Sequence, residues 1–136
     1  MTDSQPAADN GAADQDAVDL AHTLFEGARA GDAALLGRYL EAGAPANLTN
    51  AAGDSLLMLA AYHGHADTVQ LLLGHGADAN AVNDRGQTPL AGAAFKGYAD
   101  VARVLLEAGA DPEAGTPSAR AAAEMFARKD ILELLG

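Results

Sequence analysis

Residues 50–82 read NAAGDSLLMLAAYHGHADTVQLLLGHGADANAV, and residues 83–115 read NDRGQTPLAGAAFKGYADVARVLLEAGADPEAG. Set one under the other without a gap, they coincide at a step of 33 residues. Gly53 meets Gly86, Leu57 meets Leu90, Ala60-Ala61 meets Ala93-Ala94, and Gly64 meets Gly97. Asp67 meets Asp100, Leu72-Leu73 meets Leu105-Leu106, and Gly76-Ala77-Asp78 meets Gly109-Ala110-Asp111. A fixed step of this length restricts the chain to a stack of similar units, each too small to hold a core alone. The same step backward finds Ala28, Gly31, Leu40, Gly43-Ala44 and Asn47, and forward SARAAAEMFARKDILELLG keeps the apolar spacing without the glycines. The spacing therefore predicts about four units, near 19–49, 50–82, 83–115 and 116–136. The irregular copies lie at the two ends, where a stack needs caps.

Within a unit the signals run helix, turn, helix, loop. Thr88 stands where an N-cap belongs, with Pro89 at the first helical position, and Ser55 holds the same place before Leu56. Gly64 and Gly97 close the first helix. Asp67 and Asp100 open the second, whose apolar stripe is Val69, Leu72 and Leu73 at i, i+3 and i+4. Gly76 and Gly109 stop it, and the Asn, Asp and Gly residues of ADANAVNDRGQ form a turn. Ala60, Ala61, Ala93 and Ala94 let neighbouring first helices approach closely. The chain carries three Phe, three Tyr and no Trp, a composition suited to packed helices, so the fold class is all-α.

Thr88-Pro89-Leu90, Ala60-Ala61, Gly64-His65, Leu72-Leu73, Gly76-Ala77-Asp78 and Asn80 recur in phase, and in this the chain resembles the ankyrin-repeat family over residues 20 to 136. The resemblance implies an ankyrin-repeat solenoid of about four helix-turn-helix repeats with β-hairpin-like loops. The family's histidine after T-P-L is Met58 in one repeat and Ala91 in the other. In the last repeat, alignment on Asp130-Ile131 starts the helix at Ser118, whereas alignment on Thr116-Pro117 starts it earlier; both remain open.

The resemblance implies protein binding through the loop tips and the concave face of the first helices, with no catalytic role and no cofactor. Carried over position by position, the helix face holds Arg29, Tyr62, His63, Phe95 and Lys96. The tips hold Ala51, Ala52, Asp54, Asp84, Arg85 and Gln87, and His75 adds to the edge. Tyr62 and Phe95 are the expected anchors, because aromatics flanked by Arg and Lys dominate binding energy at interfaces.

Two other patterns invite chemistry. His63, His65 and Asp67 alternate like metal ligands, but they straddle a helix–turn–helix, and the sister repeat has Lys96, Tyr98 and Asp100 there. GHGADA at 74–79 spells a dinucleotide fingerprint, but a helix precedes it and a loop follows, the reverse of what phosphate binding needs. Ser55 with His22 lacks a base and an oxyanion hole that any motif would supply. The competing reading is a metal-dependent accessory enzyme built on the histidines. A further one is an acidic inhibitor or antidote covering a basic enzyme site.

The formal charge of −11 and eight scattered Lys and Arg argue against nucleic acid and anionic membranes as partners. A neutral or basic protein surface suits that charge. Cysteine is absent, the longest apolar run, SLLMLAAY, is too short to cross a bilayer, and the first residues lack a secretory pattern. A monomer in the cytoplasm is expected. Residues 1–18, rich in Asp, Ala and Gln, are expected to be a disordered acidic tail ahead of a repeat domain over 19–136.

Overall fold

The computed structural model describes residues 4–136, with side chains described from Gln15 onward. Eight helices follow in order: α1 (Ser4–Ala30), α2 (Ala33–Glu41), α3 (Leu56–Tyr62), α4 (Ala66–Gly74), α5 (Pro89–Lys96), α6 (Ala99–Glu107), α7 (Ala119–Met125) and α8 (Lys129–Leu135). Odd-numbered helices pack α1 on α3, α3 on α5 and α5 on α7; even-numbered ones pack α2 on α4, α4 on α6 and α6 on α8. The result is two layers of stacked helices, an all-α repeat solenoid. Its core runs between them: Leu24 and Leu36 in the first unit, Leu57, Val69 and Leu72 in the second, Leu90, Val101 and Leu105 in the third, and Ile131 in the last.

Each inner helix after the first starts the same way. The hydroxyls of Ser55, Thr88 and Ser118 accept from the N–H of Met58, Ala91 and Ala121 at 3.0, 3.1 and 3.1 Å. The last repeat therefore begins its helix at Ser118. Ala60, Ala61, Ala93, Ala94 and Ala123 are fully buried where inner helices meet. At that separation there is room for a methyl group and little more.

Between units the loops form tight turns rather than strands. Among the described residues the one β-bridge joins Thr49 and Ser55. Asn50 and Asn83 each hold their turn by accepting two backbone N–H groups, those of Ala52 and Asp54, and of Arg85 and Gln87. Successive tips are tied by backbone bonds, Asp84 N–H to Ala52 O and Thr116 N–H to Gly86 O.

On the outer side, Asn47 donates to Gly76 O at 3.0 Å and accepts from Asp78 N–H at 2.8 Å. Asn80 repeats this one unit on, with Gly109 O at 3.3 Å and Asp111 N–H at 2.7 Å. One amide thus satisfies both a carbonyl at a helix end and the N–H just beyond it. Replacing Asn80 with alanine should destabilise the protein by about 1–2 kcal/mol, read by urea denaturation, because two backbone groups lose their partners at once.

The stretch 1–18 differs from expectation where it is described. Helix α1 reaches back to Ser4, while residues 1–3 lie outside the described residues. Val18 is 60% exposed, and the fully buried core begins at Leu24. A helix already nucleated by packing extends cheaply through alanine-rich sequence, whether or not that sequence buries anything.

Candidate functional site

The inner helices end at one edge of the solenoid, and residues 33 apart fall at matching places there. Arg29, Tyr62 and Phe95 occupy one such position. The last repeat is shorter, so Met125 follows Phe95 by 30 residues and Phe126 follows Lys96. The Tyr62 and Phe95 rings lie nearly parallel, 6.4 Å apart. Phe126 meets Phe95 edge-on at 4.9 Å. Lys96 Nζ sits 5.0 Å from the centre of the Tyr62 ring, and the Arg128 guanidinium 5.8 Å from that of Phe126. These contacts make one ladder across three repeats, yet Tyr62, Phe95, Phe126 and Met125 remain 37, 43, 41 and 67% exposed. Aromatic contact covers part of each ring and leaves the rest to solvent.

The ladder borders a cavity of about 260 Å³ lined by Met58, Tyr62, Gln87, Gly92, Phe95, Met125 and Phe126. A more polar hollow of about 340 Å³ adjoins it, lined by Arg29, Asp54, Tyr62, His63, Arg85 and Gln87. Met58, Tyr62 and Gln87 border both. The structure thus brings together Arg29, Asp54, Tyr62, His63, Arg85 and Gln87, places Phe95 beside them, and sets Lys96 over Tyr62. Asp84 is exposed at the loop tip, its backbone bonded to Ala52. His75 stands apart: it caps the outer helix α4, and its Nδ1–H donates to Leu71 O at 3.1 Å.

Met58, Gly92, Met125 and Phe126 line the groove without having been singled out in the sequence. Met58 was visible as the residue replacing the family histidine. Met125 and Phe126 were hidden by the shortened step, since a 33-residue offset from Phe95 lands on Arg128.

The histidine cluster resolves into separate roles. His65 Nε2–H donates to Arg29 O at 2.7 Å, and the ring lies over Gly31 of the preceding repeat. Arg128 does the same two repeats later, donating to Phe95 O at 2.7 Å and lying over Gly97. His65 therefore bolts repeats together by capping the carbonyl end of an inner helix. Among the described residues no group of three or more His, Asp or Glu side chains is placed to hold a metal ion.

His63 faces the groove, and its pKa is lowered from the ordinary 6.5 by partial burial, then by His65, Lys96 and Arg29. The folded protein thus binds this proton less readily than the unfolded chain. Stability is complete above pH 6.5, falls as pH drops through that value, and stops falling below the folded pKa. Thermal denaturation across this window should show a steeper loss for the wild type than for His63→Gln; equal slopes would remove the effect. The residue is exposed, so the difference is small.

Paired helices stacked in two layers, with turn tips along one side and an open apolar groove, define a repeat solenoid. The chain belongs to the ankyrin-repeat family: the family model described as ankyrin repeats (3 copies) matches residues 24–116. It is also similar to the ankyrin repeat protein PA3287 of Pseudomonas aeruginosa, 53% identical over 58 residues. That match covers 43% of this chain and 34% of the relative, so the chain spans about a third of that protein's length. Ankyrin repeats are generally protein–protein interaction modules. Among the described residues no helix is long and apolar enough to cross a membrane.

Proposed function

We propose that this protein is a non-catalytic interaction module that binds a partner protein through the groove formed by α3, α5 and α7 and the adjoining loop tips. The observation that carries this reading is the aromatic ladder Tyr62–Phe95–Phe126, left exposed over an apolar cavity. Contiguous exposed apolar surface rimmed by polar residues marks binding sites, because a soluble protein gains nothing by leaving it in water. The protein acts as a single chain in the cytoplasm, and Arg29, Asp54, His63, Asp84, Arg85, Gln87 and Lys96 form the rim of the contact. Hydrogen exchange on the complex with the partner tests this. Amides at the groove-facing ends of α3, α5 and α7 and in the tips at 51–54 and 84–87 should slow on binding, while those of α4, α6 and α8 should not. Protection confined to the outer helices would overturn the proposal.

A further inference from the structure

Two features of the groove specify what enters it. The first is Gly92, in the middle of α5. Glycine inside a helix costs about 0.5–1 kcal/mol relative to alanine. Its counterparts in the neighbouring repeats are Leu59 and Ala122. A Cβ at Gly92 would stand 3.3 Å from Tyr62 Cδ1 and 3.8 Å from Met58 Sδ. The missing side chain lets the Tyr62 ring lie against α5 and opens the floor of the apolar cavity. Its walls are two aromatic rings, the tyrosine and two methionines, and thioethers adapt to varied apolar shapes.

The second is an imbalance of donors and acceptors in the neighbouring hollow. Two guanidinium groups, those of Arg29 and Arg85, line it against the single carboxylate of Asp54, one oxygen of which is engaged. Asp54 Oδ1 and Gln87 Oε1 each accept from Asn83 Nδ2 at 2.8 Å, and Glu26 beside it pairs with Arg29 at 2.7 Å. The Arg85 guanidinium and the His63 imidazole make no side-chain hydrogen bond among the described residues, and Arg29 spends one amino group on Glu26. A hollow with two guanidinium groups and spare N–H donors calls for an acceptor, and a carboxylate fits a guanidinium fork best.

We infer that the groove receives an extended segment of a partner protein carrying one large apolar side chain and one carboxylate. The apolar side chain seats over Gly92 between Tyr62, Phe95 and Phe126, and the carboxylate meets Arg29 and Arg85 in the adjoining hollow. The two sites lie on either side of Tyr62, about one helix spacing or 8–10 Å apart. Extended chain rises about 3.3 Å per residue, which sets the acid about three residues from the apolar anchor. This rests on the groove being the protein-binding surface, and it holds although the chain as a whole is strongly acidic, because Arg29 and Arg85 both line this one hollow.

Selection of random linear peptides on the full chain tests this, followed by titration of the enriched peptides against variants whose folding is checked by circular dichroism. The expected consensus pairs a Leu, Met, Phe or Trp with an Asp or Glu about three residues away. Arg85→Glu should weaken binding about tenfold or more, and changing the peptide's acid to Lys should restore it. Gly92→Leu should weaken binding similarly, with the fold kept because leucine stands at the same place in the preceding repeat. Gly92→Ala should lower affinity, and its thermal denaturation run beside the titration separates lost binding from lost folding. No enriched peptide, a consensus without an acid, or one indifferent to Arg85→Glu overturns the inference. If such peptides still respond to Gly92→Leu, the groove remains the binding surface. If they respond to neither that change nor Tyr62→Ala/Phe95→Ala, the proposed function falls as well.

Discussion

Replacing Tyr62 and Phe95 together with alanine is expected to weaken partner binding by about a hundredfold or more. Both rings are large, rigid and desolvated on one side by each other, with centres 6.4 Å apart. Their free faces border the cavity into which a partner side chain would pack. Truncation removes the wall of that cavity and the ring under Lys96 in one step. Folding is weakened separately, since the stack adds about 0.5–1.5 kcal/mol to what the partly buried rings contribute by their area. A binding titration run beside a denaturation curve separates the two. Gln70→Ala, exposed on the outer helix α4, serves as the control and should bind as the wild type does. Equal affinity of the double variant and the control would show that the partner sits elsewhere.

Gly64→Val should destabilise the protein by about 2–5 kcal/mol, combining the strain of a left-handed side-chain-bearing residue with overpacking. Gly64 has φ of +80°, and a Cβ there would meet the Tyr98 ring at 3.0–3.1 Å. Tyr98 opens the second helix of the next repeat, so the glycine is the seat on which the following unit rests. Damage there uncouples neighbours, and in a stacked array the stability of each unit depends on the interface beside it. The last repeat supplies the converse. Ala127, with φ of 53°, holds the position that Gly64 and Gly97 hold elsewhere. It is exposed. Ala127→Gly should therefore stabilise the protein, by about 1 kcal/mol. Equilibrium denaturation reads both, and a stabilised Gly64→Val or a destabilised Ala127→Gly would contradict the account.

The architecture was legible along the chain because its determinants are local and repeated. Ser55 and Thr88 cap the helices their positions announced, the Ala-Ala pairs are fully buried, and Val69 and Leu72 face the core. Each of these depends on a spacing of a few residues, or on the 33-residue step that multiplies it. The register of the last repeat was not legible, since Thr116-Pro117 and Ser118 both offered a start and only the hydrogen bond to Ala121 N–H decided between them.

The groove needed the tertiary structure. The family resemblance pointed to Tyr62 and Phe95, which share a repeat position. It could not show that Phe126 joins them, that Gly92 opens a floor beneath Tyr62, or that His65 is spent on Arg29 O. Nor could a net charge of −11 reveal that Arg29 and Arg85 line one hollow. Repetition determined which helices form and which faces they bury, because those follow from neighbours in the chain. The composition of the binding surface was decided by side chains about 30 residues apart that meet only once the repeats stack.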